Sequence, residues 1–540
     1  MNEMKLPTVA YFCMEYGLHS DFKIYAGGLG ILAGDYLKGA KDIGAPVVGI
    51  GIKWKQGYTD QRIDQDGKPY DSYHNYDYDF LEDTGVKVGV KIRDVDVLCK
   101  VWKTEKFGNN PLYLLDTDIP ENADTWITGQ LYGWFGEERI AQEIVLGIGG
   151  VRALRALQIP VEVYHFNEGH AALAATELIR EKMSAGSTFE EAWNATREEV
   201  VFTTHTPIRE GNEAHPLERL EYMSAYNGLT REQMEQIGGN PFNMTVAGLR
   251  LSRISNGVAR LHAETANRMW QDVTGRSAII GITNAVHPPT WVDERITRAY
   301  EEGGDLWGAH MELKRELLDF IRERTGIALN PDRLLIGFSR RAASYKRSDL
   351  IFSKPEVIAP YLEAGTLQIV FSGKAHPQDD NGKRIISHLV SMMRKYPESV
   401  VFLENYDMAI GARLTRGSDV WLNNPRRPLE ASGTSGMKAA MNGVLNCSIL
   451  DGWWPEACLH GENGWQIGGG FEAFDIAAQD RHDSEALYET LLGSVFPTYY
   501  ENRPQWVRMM ERSIETTREA FATKRMLDDY YRLMYIKKGE

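Results

Sequence analysis

The residues best suited to chemistry lie in one run, Glu430-Ala-Ser-Gly-Thr-Ser-Gly-Met-Lys438, followed by Ala439, Ala440, Met441 and Gly443. Ser432, Gly433, Thr434 and Ser435 are small residues with free N–H and hydroxyl donors, and they predict the start of a short helix that Gly443 ends. Lys438 falls about one turn inside that helix. Its neighbours Met437, Ala439, Ala440 and Met441 are apolar, so the amine is expected to be sheltered. A helix start that attracts phosphate, with a lysine one turn later, suits a phosphorylated aldehyde such as pyridoxal phosphate. The amine would form a Schiff base and the Ser/Gly/Thr run would hold the phosphate.

Two further groups invite an anion. Ser339–Arg347 (SRRAASYKR) packs Arg340, Arg341, Lys346 and Arg347 directly after an apolar run, Leu334–Phe338. Composition alone favours a solvated basic loop; the position at a strand's carboxyl end favours a phosphate site. Gly27-Gly28-Leu29-Gly30 precedes ILAGDYLKGAKDIG, where glycines would let backbone N–H groups approach a ligand closely. Taken alone, it fits a tight turn before a helix equally well.

The histidines are weaker signals. His165, Glu168 and His170 lack the His-Glu-x-x-His spacing of a metal helix, so they read as hydrogen-bonded structural residues and no metal is expected. His205 stands alone after the VVFTT run, where it could read a hydroxyl or carbonyl in a cleft. Thirteen tryptophans, including Trp453-Trp454, suit stacking on sugar rings and suit a core just as well.

Positioning these groups requires strands that end beside one another. Val161–His165, Glu199–Thr204, Leu334–Phe338, Leu367–Phe371 and Val400–Leu403 are short apolar runs, each followed by a polar or glycine-rich turn. Helical patterns follow, one of them opened by a capping box at Ser187-x-x-Glu190. That alternation predicts parallel sheets covered on both faces. Thr283–Trp291 (TNAVHPPTW) marks the boundary between two halves, and 504–538 reads as one or two long amphipathic helices. The expectation is a two-lobed α/β protein with ligands in a cleft beyond the strands' carboxyl ends.

The 540-residue length accommodates two large α/β domains, and 43% hydrophobic with 25% charged residues excludes a disordered class. A net charge of −15 argues against general binding to nucleic acid or an anionic membrane, so any phosphate must be held by a local basic cluster. Cys13, Cys99, Cys447 and Cys458 form no Cys-x-x-Cys pair and read as reduced, mostly buried thiols. The N-terminus lacks the marks of a secretory leader, and no apolar window reaches about 18 residues, so a cytoplasmic location is expected.

Together the motifs resemble the glycogen, starch and maltodextrin phosphorylases, pyridoxal-phosphate enzymes of the GT-B fold, in a short form. EASGTSGMK (430–438) is similar to that family's cofactor-lysine signature. Collinear matches include AGGLGILAGDYLKGAKDIG (26–44), FNEGHAALA (166–174), TTHTP (203–207), NGVARLHAE (256–264), RRAASYKR (340–347), GKAHP (373–377) and FLENYDMAIG (402–411). The resemblance implies an N-terminal Rossmann-like domain over 1–284 and a cofactor-binding one over 285–540, with the helices of about 504–540 packing back on the first.

It also implies residue roles. Lys438 would be the Schiff-base lysine, Gly433, Thr434, Ser435 and Arg340 would contact the cofactor phosphate, and Tyr406 and Trp291 would line its ring. Arg341 and Lys346 would hold orthophosphate, helped by the N–H groups of Gly28 and Gly433. Gly27, Gly28, Leu29, His205, Val258, Asn284, Tyr345, Glu430, Ser432 and Gly433 would grip the glucosyl unit. The expected reaction is retaining phosphorolysis of a terminal α-1,4-linked glucose from glycogen, starch or maltodextrin, releasing glucose 1-phosphate. Preferred glucan, self-association and regulation are left open.

Four positions depart from the family: Asp407 replaces an Arg, Ala343-Ser344 a His-Glu pair, and Ala285 interrupts an Asn-Gly. The rival readings are a GT-B transferase using a nucleotide sugar and a non-catalytic glucan-binding paralogue. Lys438 discriminates against the first, since no Schiff base is needed there. Lys438, Arg341, Lys346 and His205 together weigh against the second.

Overall fold

The computed structural model describes residues 5–539, so the first four residues, on which part of the leader reading rests, lie outside the described residues. Two compact units emerge. One comprises Met1–Tyr58, Tyr73–Thr283 and Thr523–Glu540, and the other Thr59–Ser72 and Asn284–Ala522. They are called unit 1 and unit 2 below.

Among the described residues, unit 1 is built on a nine-stranded sheet. Its order is Ala278–Gly281, Ile254–Gly257, Val200–Thr203, Val163–Asn167, Val9–Phe12, Val47–Ile52, Leu112–Asp116, Val95–Thr104 and Glu82–Ile92. The first seven run parallel, and the last two join as an antiparallel edge. From Val9–Phe12 the chain builds outward one way, then returns to add Val163–Asn167 on the other side. The order therefore reverses between these two strands, which is where doubly wound sheets open a crevice for ligands.

Unit 2 repeats the plan with six parallel strands: Val400–Leu403, Leu367–Ser372, Leu334–Ser339, Val420–Asn423, Leu445–Ile449 and Gly464–Ile467. Alternation divides the four strands Val400–Leu403, Leu367–Ser372, Leu334–Ser339 and Val420–Asn423 between two cores. Leu334, Ile336 and Phe338 join one buried cluster while Leu335 joins another, and Val420 and Leu422 oppose Trp421 in the same way. Such strands are apolar throughout because both faces are covered. The reversal lies between Leu334–Ser339 and Val420–Asn423. Both units are thus Rossmann-like, the α/β class expected.

The sequence boundaries need two corrections. The hairpin Asp60–Ile63/Pro69–Ser72, expected in the N-terminal domain, groups with unit 2. Gln61 exchanges hydrogen bonds with the Ala375 backbone at 2.9 Å, and Lys383 pairs with Asp71 at 2.6 Å. Of the C-terminal helices, Arg503–Thr517 stays in unit 2, and only the chain from Thr523 joins unit 1. There the Tyr535 hydroxyl meets His165 Nδ1 at 2.6 Å, and Asn256 donates to the Tyr530 hydroxyl at 3.1 Å. A smaller correction concerns the capping box, which is formed by Thr188 and Glu191. Thr188 is extended, so its hydroxyl reaches the Glu191 N–H at 3.2 Å.

Candidate active site

The two strands at the unit 2 reversal deliver opposite charges to one place. Leu334–Ser339 continues into Arg340, and the chain leaving Val420–Asn423 returns at Glu430. Arg340 makes a tight ion pair with Glu430 Oε2, and Lys346 Nζ lies 3.7 Å from the same oxygen. Arg340 also reaches Ser435 Oγ at 3.4 Å, which accepts from Trp421 Nε1 at 3.2 Å. The side chains of Arg340, Glu430 and Lys346 are only 6%, 7% and 12% exposed. With Lys346 protonated, two cations and one carboxylate leave a positive excess where water screens little.

Burial shapes each charge. It pushes the Lys346 ammonium down to about 7, Arg340 adds to that, and Glu430 offsets part of it. Burial alone would raise the Glu430 carboxyl, yet Arg340 and then Lys346 hold it below the usual range. Behind it, Asp451 accepts the backbone N–H groups of Glu430 and Gly452 at 2.9 and 2.8 Å. Arg341 is exposed and interacts with the Tyr345 phenol, which burial and then Glu430 push up to about 12. Arg347 turns away: it binds the carbonyls of Asn424 and Pro425 and pairs with Asp480 and Asp483. Of the four clustered cations, then, Arg347 is structural.

Lys438 sits on the helix Ser435–Met441, and Gly443 follows with φ 75° in the left-handed region that ends helices. The lysine is 4% exposed, and its Nζ lies 3.7 Å from the centre of the Trp291 ring. Asn442 ties the two together by donating to the carbonyls of Trp291 at 3.1 Å and Lys438 at 2.8 Å. Beside the helix, Ser432 Oγ and Asn423 Oδ1 are buried without a hydrogen-bond partner, and Gly433 holds φ 78°. Buried polar atoms left unsatisfied are costly and mark where a ligand's polar groups would fit. Tyr406 is half-buried, its phenol pushed up to about 12 by burial. Gly411 makes room for it, because a Cβ there would stand 2.4 Å from its oxygen. Asp407 accepts from the Ile410 N–H at 2.8 Å, so this departure from the family serves as the cap of the helix Met408–Gly417.

Unit 1 places its polar residues at its own reversal. After Val9–Phe12, Glu15 accepts the N–H of Gly27 at 3.0 Å and holds the turn before the helix Gly28–Asp42. A Cβ on Gly27 or Gly28 would meet nothing within 4 Å, so their backbones are open to approach. After Val163–Asn167, Asn167 bonds His205 Nε2 at 2.6 Å through its Oδ1. Glu168, held at φ 80°, accepts from the His205 N–H at 2.9 Å and from the Thr206 hydroxyl at 3.1 Å. Burial pushes His205 down to about 3, with His262 and His170 adding to it, so the imidazole is neutral and acts as a hydrogen-bonding group. Val258 follows Ile254–Gly257 with its side chain buried and its N–H committed to His262 Nδ1 at 3.0 Å.

In unit 2 the structure brings together Arg340, Lys346, Glu430 and Ser435, with Ser432, Gly433 and Thr434 on the intervening chain and Lys438 beside Trp291. Asn284, buried, begins the same unit. Gly27, Gly28, Leu29, His205 and Val258 belong to unit 1. Sequence reading missed Asn167, Glu15, Asn423 and Asp451, and weighed Glu168 only as a metal ligand. The signal available for Asn167 and Glu168 was their place just after a predicted strand, the position that made His205 a candidate. His165, as expected, is a structural histidine, bonded by Tyr535 and by Thr203 Oγ1, each at 2.6 Å.

Comparison with known proteins identifies the family. The family model for carbohydrate phosphorylase matches residues 304–459, the stretch carrying both the basic loop and Lys438. A maltodextrin phosphorylase of Thermococcus litoralis is 39% identical over 98% of this chain and 70% of its own length. A glycogen phosphorylase of Aquifex aeolicus is 35% identical over 98% of this chain and 86% of its own. An uncharacterized protein of Methanocaldococcus jannaschii is 37% identical over 98% of this chain and 99% of its own, a relative of matching length. Fold, basic loop, lysine helix and similarity along nearly the whole chain lead to one conclusion: the chain belongs to the carbohydrate phosphorylase family, enzymes of the glycosyltransferase type.

Proposed function

We propose that this protein is an α-glucan phosphorylase that uses pyridoxal phosphate and orthophosphate to release glucose 1-phosphate from the end of an α-1,4-glucan in the cytoplasm. The observation that carries the cofactor reading is Lys438 itself. Its amine is buried over an indole, on a helix whose first residue, Ser435, is reached by a guanidinium and whose approach carries the unsatisfied Ser432 hydroxyl. A buried amine with that surrounding fits an aromatic aldehyde phosphate better than it fits a solvated surface lysine.

Unit 2 is assigned the cofactor and the anion. Lys438 would tether the cofactor, Trp291 and Tyr406 would flank its ring, and Gly433, Thr434, Ser435 and Arg340 would hold its phosphate. When bound, pyridoxal phosphate supplies an ionisable phosphate to the reaction. Arg341 would clamp orthophosphate through its guanidinium fork while Lys346 acts as a point charge. Their combined charge would stabilise phosphate oxygens as the glycosidic bond breaks. Glu430, Ser432, Tyr345 and Asn284 would bind sugar hydroxyls. Unit 1 is assigned the glucan: His205, a neutral donor and acceptor, would bind a glucosyl hydroxyl, with Gly27, Gly28, Leu29 and Val258 supplying backbone and contact surface.

The test is direct. Purified protein should carry one pyridoxal chromophore per chain, and borohydride should fix it to the peptide containing Lys438. Lys438→Ala should lose the cofactor and the activity while remaining folded. Near-normal phosphorolysis by Lys438→Ala would overturn the assignment.

A further inference from the structure

A second cluster of titratable groups lies in unit 1, and the proposed reaction makes no use of it. The helix Glu137–Ile144 carries Arg139 and Glu143 at i and i+4, so both emerge on one face. The short strand Ala214–His215 pairs antiparallel with Phe242–Asn243, and the Glu213 carbonyl accepts the Met244 N–H at 2.9 Å. Glu213 and His215 are thereby pinned opposite the helix. His215 Nε2 lies 3.0 Å from Glu143 Oε1 and 3.8 Å from Glu213 Oε2. One donor atom from each of Glu143, Glu213 and His215 falls within 4.8 Å of the other two.

Three features distinguish this cluster from an ordinary salt-bridge network. The Glu143 side chain is fully buried, yet its Oε2 has no hydrogen-bond partner, and neither does Glu213 Oε2. The two carboxylates face His215, with His170 Nε2 a further 3.7 Å from Glu213 Oε1, and Arg139 is the guanidinium that answers them. Arg139 answers only one of them, through Glu213 Oε1, leaving Oε2 turned toward His215. Arg139 is itself held aside, its guanidinium 5.0 Å from the Tyr132 ring and 5.3 Å from that of Phe135. Finally, tetrahedral ligands at about 2.0–2.1 Å from zinc stand about 3.3 Å apart, and the two separations from His215, 3.0 and 3.8 Å, bracket that value.

We propose that Glu143, Glu213 and His215 form a binding site for one divalent transition-metal ion of the zinc class, with water completing the shell. One nitrogen and two carboxylate oxygens suit zinc or cobalt better than the oxygen-only shells of magnesium or calcium. The ion would cross-link the helix Glu137–Ile144 to the segment that runs from His205 to His215. It would therefore act as a structural clamp on the loop that carries His205.

Sequence spacing conceals this site, because Glu143 is far along the chain from Glu213-Ala-His215. Only the packing of the helix against the short strand brings the donors together. The competing explanation is a proton shared between the two carboxyls, which would satisfy the same unpartnered oxygens without any metal.

The experiment strips the intact protein with chelator and titrates it with Co²⁺, following the ligand-field absorption of a four-coordinate site, then with Zn²⁺ in competition. One ion per chain should bind, with a rise in melting temperature. Glu143→Gln keeps the side-chain shape and should weaken binding by roughly a hundredfold or more, since losing a ligand exceeds the 10–100-fold effect of losing an outer-shell partner. His215→Asn should do the same, so the result does not rest on one variant folding. Absence of stoichiometric binding to the parent, or binding that both variants retain unchanged, overturns the proposal and leaves the shared proton.

Discussion

Arg340→Met offers a quantitative test of the charge balance around Glu430. Removing one partner of a buried ion pair commonly costs about 3–5 kcal/mol, because the remaining charge is stranded. Here Glu430 retains Lys346, 3.7 Å from its Oε2. The expected loss is therefore smaller, about 2–3 kcal/mol. Glu430→Gln leaves two cations facing each other, but Lys346, already pushed down to about 7, can shed its proton and relieve the repulsion. The double variant strands neither partner of the pair, so its cost should fall short of the sum of the single variants by at least about 1.5 kcal/mol. Urea unfolding followed by tryptophan fluorescence measures all four proteins. A second signature comes from Lys346. Arg340 is the largest charge effect depressing it, so its pKa should rise in Arg340→Met and fall in Glu430→Gln. The pH dependence of amine labelling at Lys346, read by mass spectrometry, measures this. Additivity of the single variants within about 0.5 kcal/mol, with no movement of the labelling midpoint, would refute the reasoning.

Three further outcomes concern the reaction. Lys346 loses its proton as pH rises through about 7, so the KM for orthophosphate should increase above that pH in the parent and less steeply in Lys346→Arg, whose guanidinium stays charged; parallel pH profiles would dissociate Lys346 from anion binding. Arg341→Lys keeps the charge and loses the fork, so kcat/KM for orthophosphate should fall by about 2–4 kcal/mol, roughly 30- to 1000-fold, with glucan affinity barely changed. Separate titrations of the two substrates decide it, and weakened glucan binding with normal phosphate kinetics would count against the role. His205→Ala should lower kcat with little effect on the KM for orthophosphate, because a neutral imidazole bonded to Asn167 contributes orientation and no charge to the anion.

Much of the fold was legible because the central strands of both sheets are parallel and buried on both faces. Strands such as Leu334–Ser339 and Val400–Leu403 must then be continuous apolar runs, which stand out in the sequence and were located to within a residue. The lysine helix was legible for a local reason: small donors at its start, an apolar frame around Lys438 and Gly443 beyond its end are all short-range signals. The capping box slipped by one residue because Ser187 and Thr188 are both competent caps, and backbone conformation chooses between them. The unit boundaries escaped more seriously. Nothing local to the hairpin 59–72 marks it as belonging with unit 2; that membership comes from Gln61 on Ala375 and Lys383 on Asp71, contacts distant in sequence.

The sequence by itself determined which residues could react and which strands would carry them: Lys438, the basic run 340–347 and His205 each sit at an element end that local pattern identifies. Tertiary structure alone decided how those charges are apportioned. It turned Arg347 toward Asp480 and Asp483, paired Arg340 with Glu430, and gave His205 the partners Asn167 and Glu168. It also gathered Glu143, Glu213 and His215 from distant segments. The reason is physical. Propensity and periodicity act over a few residues, whereas the energy of a buried charge depends on every group within several ångströms, and those groups arrive from the whole length of the chain.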